Sequence, residues 1–170
     1  MVGLSASARA QSAITDRASL PTDTVQCVAS GTLDGLPQWA SDLVRDSRVG
    51  HLAMIDLNGR PRVLPVTYAI HEAAVWMAID HKPKRPGREP ARVRWLREHP
   101  HAALTVDRYE DDWAALRWVQ LIGDITVLDS PPTTEVLIAL SHRYPQYRAD
   151  PPPGPALRLD VVRALWWRAS

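Results

Sequence analysis

The chain has 170 residues, enough for one domain with a real core and too few for two of ordinary size. Hydrophobic residues make up 45% and charged residues 23%, the balance of a soluble globular protein, and a formal net charge of +1 gives no overall field toward nucleic acid or an anionic membrane. One cysteine, Cys27, excludes an internal disulfide and a thiolate zinc site, and no apolar run approaches the ~20 residues that span a bilayer.

Residues 1–35 are rich in Ala, Ser, Thr and Asp with scattered apolar residues, which predicts a disordered extension before a domain over 36–170. The extension has neither the basic start nor the apolar stretch of a secretory signal, so a cytoplasmic protein is expected. A helix is predicted over Gln38–Ser47, with Trp39, Leu43 and Val44 on one face, broken by Gly50. His51–Leu57 then reads as a strand, Asn58–Gly59 as a two-residue type I′ turn and Arg62–Ile70 as the returning strand. A tight turn at His71–Glu72 leads to a third strand, Ala73–Asp80, and completes an antiparallel meander.

The stretch His81–Pro90 holds three prolines and reads as a loop, after which Pro90 starts a short helix to Glu98. His101–Asp107 is a fourth strand and Leu116–Leu128 a fifth, with a bulge expected at Gly123. Asp129–Ser130–Pro131 combines a capping side chain with a first-turn proline and starts a helix running to about Tyr144. A proline loop at Asp150–Pro155 precedes the last strand, Leu157–Trp167. Six strands in hairpin pairs, with three helices, predict a mainly β fold: an antiparallel barrel with peripheral helices.

No glycine-rich phosphate loop follows a strand, no serine occupies a nucleophile elbow, and the six histidines show no metal-binding pair at helical spacing. The window His81–Arg97 is different. It carries Lys82, Lys84, Arg85, Arg88, Arg92, Arg94 and Arg97 against the single Glu89, a net +6 that leaves −5 for the rest of the chain. Charge so segregated suits an anionic ligand, and the prolines framing Lys84–Arg85 restrict the backbone that would present them. Asp107–Trp118 is the second unusual segment. Its tryptophans suit core packing, a dimer interface, or stacking on a ring at a pocket rim.

Taken together, G-R-P-R-V-L-P-V-T-Y-A-I, A-I-D-H-K-P-K-R, R-W-L-R-E-H-P-H-A-A-L-T-V-D, Y-E-D-D-W and L-R-W-V-Q-L-I-G resemble the pyridoxamine-5′-phosphate-oxidase-like proteins. Within them the chain most resembles the actinobacterial deazaflavin (coenzyme F420)-dependent oxidoreductases. The resemblance implies a six-stranded antiparallel split β-barrel of the FMN-binding type, a homodimer with a cofactor in each interface groove, and hydride transfer to a small-molecule conjugated acceptor. It implies that Pro65, Val66 and Thr67 line the cofactor ring, that Asp80, Lys82, Lys84 and Arg85 surround its phosphate with Arg94 nearby, and that Trp113 and Trp118 approach from the partner subunit. Trp95 departs from the pattern, standing where relatives often carry asparagine. FMN is the alternative cofactor, used by an oxidase or reductase of the same fold. A non-enzymatic flavin- or haem-binding protein is the alternative from another class. Nucleic-acid binding would call for aromatics interleaved with the cations, and Trp95 alone fits that pattern.

Overall fold

A computed structural model describes residues 28–80 and 89–169. In them the chain forms β1 (Ala29–Gly31), α1 (Gln38–Asp46), β2 (Gly50–Ile55), β3 (Pro61–Val66), β4 (Ala69–His71), β5 (Ala74–Ala78), α2 (Ala91–Glu98), β6 (His101–Arg108), β7 (Arg117–Leu128), α3 (Thr134–Arg143), α4 (Gln146–Ala149) and β8 (Ala156–Arg168). A 3₁₀ turn, Trp113–Ala115, precedes β7. None of these helices is long and apolar enough to cross a membrane.

Every strand pairing is antiparallel, in the order β3-β2-β6-β7-β8-β5-β4, with β1 added alongside β8. The two ends of this path, β3 and β4, are successive in the chain and separated by Thr67–Tyr68 alone. Three Cα–Cα steps from Val66 to Ala69 span at most about 11 Å. The sheet must therefore curl until its edges nearly meet. No ladder joins those edges, so the barrel stays split at Thr67–Tyr68.

The described sheet has eight strands, not the six expected, and it is not closed. The expected strand Arg62–Ile70 divides because its partner changes: β3 pairs with β2, and β4 pairs with β5. A continuous strand cannot serve both ladders around that corner. The other addition, β1, lies within the segment assigned by composition to the extension, and pairs Ala29 with Trp166 and Gly31 with Ala164. Its Ala-Ser-Gly sequence carries no apolar alternation, so the pairing rests on backbone hydrogen bonds and left no pattern to read.

Turn chemistry also departs from expectation. Between β2 and β3, Gly59 N–H donates to the Asp56 carbonyl (2.9 Å) and Asp56 N–H to the Arg60 carbonyl (2.9 Å), while Gly59 takes φ +73°. That is a three-residue loop ending in a left-handed glycine, not a type I′ turn at Asn58–Gly59. Buried Asp56 organises it, accepting at Oδ1 from Asn58 N–H (2.9 Å) and Arg60 N–H (3.0 Å), and at Oδ2 from Arg62 Nε (2.9 Å). The two-residue turn with two positive φ values is at Glu72–Ala73, one residue beyond the expected place.

Inside the curl, Leu52, Met54, Val75, Met77, Leu104, Val106, Val119, Leu121, Leu157 and Leu159 form one buried cluster. Ala40, Leu43 and Val44 of α1 and Val93 and Leu96 of α2 pack into the same cluster. On β4 and β5, Ala69, Ala74 and Trp76 make a second cluster with Val136, Leu140, Tyr144 and Tyr147 of the α3–α4 segment. Gly123 is the expected bulge: the β7–β8 register shifts beside it, and a Cβ there would lie 1.9 Å from the Asp160 carbonyl oxygen.

Candidate functional site

The ladder β2–β3 ends at the pair Gly50–Val66, and β5–β8 ends at Ala78–Ala156. Beyond these last pairs the wall opens. Pro65, Val66, Thr67, Met77, Ala78, Ile79, Asp80, Arg92 and Leu157 are among the residues lining a cavity of about 230 Å³ there. Val66, Met77, Ile79 and Leu157 are buried and make an apolar floor. Thr67, Asp80 and Arg92 are half-buried and place polar groups around it.

The chain at the split needs partners for the backbone that no ladder serves. Tyr144, from the end of α3, supplies them. Its Oη accepts from Tyr68 N–H (3.0 Å) and stands 3.0 Å from the Tyr68 carbonyl and 2.9 Å from the Arg48 carbonyl, either of which takes its proton. Tyr147 places its Oη 2.9 Å from Thr67 Oγ1. Tyr68 itself turns inward and donates to the Val44 carbonyl (2.6 Å), and burial pushes its phenol well above the ordinary range, with the nearby Arg143 opposing. The Arg143 guanidinium lies over the Tyr68 ring (4.8 Å) and donates to the carbonyls of Arg45 and Ser47.

Four of the expected site residues, Pro65, Val66, Thr67 and Asp80, are brought together around this cavity. Arg94 is not. The cavity takes Arg92 instead, because side chains two apart on a helix diverge by half a turn. Helical phase from Val93 and Leu96, the buried residues of α2, separates the two arginines. Arg94 Nε is buried and has no hydrogen-bond partner among the described residues.

Trp113 is 71% exposed on its 3₁₀ turn, where Asp112 accepts from Ala114 N–H (3.0 Å). Trp118 is half-buried on β7 between Asp107 and Trp167. Neither lines the cavity within one chain. Trp95 leans on the core and lies 5.5 Å below the Arg62 guanidinium, so the departure from the family pattern does not fill the cavity. Lys82, Lys84 and Arg85 lie outside the described residues, in the segment between Asp80 and Glu89.

Among the described residues no group of three or more His, Cys, Asp or Glu side chains is placed to hold a metal ion. A larger cleft, about 390 Å³, opens between Leu33–Leu36 and the Glu72–Ala73 turn. Asp34, Arg45, His71 and Glu72 mix both signs of charge on its walls, which suits water better than an anion or a ring.

No protein-family model matches the chain, and no curated protein sequence does. Solved structures match it in fold. A conserved hypothetical protein from Mycobacterium tuberculosis superposes with a TM-score of 0.63 at 21% identity, over 78% of this chain and 85% of that one. A heme binding protein from Mycobacterium smegmatis gives 0.60 at 20% identity over 76% of this chain, which spans about half (52%) of that longer protein. A FAD-binding protein from Mesorhizobium loti gives 0.58 at 20% identity over 85% and 98%. An F420 reductase gives 0.50 at 18% identity over 79% and 96%. The protein is thus a split-barrel-type antiparallel β protein, a fold it shares with proteins named for flavin, deazaflavin and haem.

Proposed function

We propose that the chain is a member of the pyridoxamine-5′-phosphate-oxidase-like family that binds coenzyme F420 and acts as an oxidoreductase on a small conjugated acceptor. The observation that carries the reading is the cavity at the split. Its buried apolar floor suits one face of a planar ring, and its polar rim, Asp80 and Arg92, stands at either end of the segment that contains Lys82, Lys84 and Arg85. A ring with an anionic tail matches that distribution of apolar and cationic groups. When bound, a deazaflavin supplies the hydride chemistry itself. The work left to this chain is to bind and orient: Val66, Met77 and Leu157 give the ring a dry surface, Thr67 offers it a hydroxyl, and Arg92 with the Lys82–Arg85 cations neutralises the tail. FMN meets the same requirements with a shorter tail. Haem is the weaker reading, since among the described residues that line the cavity there is no histidine.

At about 230 Å³ the cavity is smaller than the roughly 300–1,000 Å³ of ordinary cofactor pockets, which favours completion by a second copy of the chain. A surface for that copy is continuous with the site. In register across the outside of the sheet run Val63, Ala53, Ala103 and Ile122, with Val162 beside them at the bulge. Val63 and Val162 are 60% and 69% exposed, and Pro65, two residues beyond Val63 on the same face, reaches the cavity. An apolar row of this kind is self-complementary about a twofold axis. On this reading Trp113 and Trp118 come to the groove from the partner.

The test is titration of the purified protein with coenzyme F420, FMN and haem, followed by absorbance and tryptophan fluorescence. F420 should bind tightest, and the double variant Lys84→Ala, Arg85→Ala should weaken it at least about a hundredfold, at about 1.5–3 kcal/mol for each charge-assisted bond. Binding of haem alone, or unchanged F420 affinity in the double variant, refutes the reading.

A further inference from the structure

Thr67 lines the cavity, and its hydroxyl has a partner outside the site: Tyr147 Oη, at 2.9 Å. Tyr147 belongs to α4, eighty positions along the chain, and is 6% exposed, with its ring edge-on to Tyr144 at 5.7 Å. The backbone of the split is already held without it, since Tyr144 serves both the N–H and the carbonyl side of Tyr68. What the Tyr147 hydroxyl determines is the side chain of Thr67.

The direction of that hydrogen bond follows from chemistry. A phenol is a stronger acid than an aliphatic alcohol and the better donor, while the threonine oxygen has two lone pairs to accept with. In the reverse sense the buried Tyr147 would keep a proton for which the described residues offer no other acceptor. Tyr147 therefore donates and Thr67 accepts. The proton of Thr67 is then turned away from Tyr147, toward the cavity that Thr67 lines.

Resting on the cofactor reading above, we infer that Tyr147 is a positioning residue, which fixes Thr67 as a directed hydrogen-bond donor to an acceptor atom, a carbonyl or ring nitrogen, on the edge of a planar ligand in the split. The hydroxyl pair adds selectivity to a pocket whose floor is apolar. A ring presenting an N–H at that edge finds only the remaining lone pair of Thr67 and forgoes the donated bond.

The full chain and the variants Tyr147→Phe, Thr67→Val, Thr67→Ser and Tyr147→Phe/Thr67→Val are titrated with coenzyme F420 and with FMN, and the bound ligand's absorption band is recorded. Circular dichroism and thermal melting establish that each variant is folded. Tyr147→Phe and Thr67→Val should each weaken binding about tenfold and shift the band, because a hydrogen bond to the ring perturbs its electronic transition. Thr67→Ser keeps the hydroxyl and should match the parent in both. The double variant should be no weaker than Thr67→Val alone, since Tyr147 acts through Thr67. Parent-like affinity and band position in Tyr147→Phe, or additive losses in the double variant, overturn the inference while leaving cofactor binding intact. Failure of the parent chain to bind either cofactor brings down the proposed function and this inference with it.

Discussion

Removing one oxygen atom tests how the split is held. Tyr144 is 3% exposed, and its hydroxyl accepts from Tyr68 N–H at 3.0 Å and donates to one of two carbonyls, Arg48 (2.9 Å) or Tyr68 (3.0 Å). Tyr144→Phe keeps the ring, its packing against Leu140 and Tyr147, and the Arg48 guanidinium 5.3 Å above it, so no cavity of consequence is made. The loss is polar. A buried N–H without an acceptor costs about 1–3 kcal/mol, and the lost donation to a carbonyl about 0.5–1.5 more. The sum is about 1.5–4.5 kcal/mol, a large part of the ~5–15 kcal/mol that holds a domain folded. With a urea slope of about 2 kcal/mol/M, the midpoint should fall by roughly 1–2 M at unchanged slope. The assay is urea unfolding followed by tryptophan fluorescence and circular dichroism at one fixed protein concentration, since self-association would add to apparent stability. Tyr109→Phe, at a hydroxyl on a residue 69% exposed, is the control and should stay within about 0.5 kcal/mol. A Tyr144→Phe midpoint within about 0.3 M of the parent would show that water or another donor–acceptor pair replaces the phenol, and that it does not hold the split.

Gly123→Ala should destabilise by about 3 kcal/mol or more in the same assay, because its Cβ would lie 1.9 Å from the Asp160 carbonyl and the two longest strands would have to part; a neutral effect would mean the bulge relaxes freely. The Arg60 N–H holds the Asp56 carboxyl below its ordinary value of 3.8; burial opposes this, while Asn58 N–H and the Arg62 guanidinium add to the lowering. The unfolded chain therefore takes up the proton first on acidification, so this stabilisation is complete above about pH 4 and is lost as pH falls through the depressed folded value. Asp56→Asn should be less stable than the parent at pH 7, with the gap closing below pH 4, and a gap independent of pH would contradict the assignment. Val162→Asp, at the end of the outer apolar row, should convert a species near twice 18.9 kDa into one of 18.9 kDa in light scattering at micromolar concentration. A monomeric parent would remove the shared-groove model.

Local pattern alone determined much of this protein. The apolar face of α1, the proline start of α2, the alternation in β2, β6 and β8 and the bulge at Gly123 are all properties of residues within a few positions of one another, whereas α3 starts at Thr134 under a Thr133 cap and not at the expected Asp129–Pro131. Periodicity reports which side of an element is apolar, and those sides did become the core. The grouping of Pro65–Thr67 with Asp80 was legible only through resemblance to a family, since no spacing rule joins the ends of two strands.

Tertiary structure decided where the chain changes partners. Nothing in Arg62–Ile70 marks Thr67–Tyr68 as the break, because the break exists only when β2 and β5 stand on different sides of a curled sheet. Likewise β1 has no apolar signature, and its partner lies more than 130 residues away. The choice of Arg92 over Arg94 depended on how α2 is rotated against the barrel, which charge counting does not contain. Tyr144 and Tyr147 read in sequence as ordinary aromatic residues near the end of a helix. Tyr144 serves Tyr68 because backbone groups left unpaired at the split require hydrogen-bond partners, and Tyr147 meets the Thr67 hydroxyl there; requirements that arise only on folding leave no mark in local sequence.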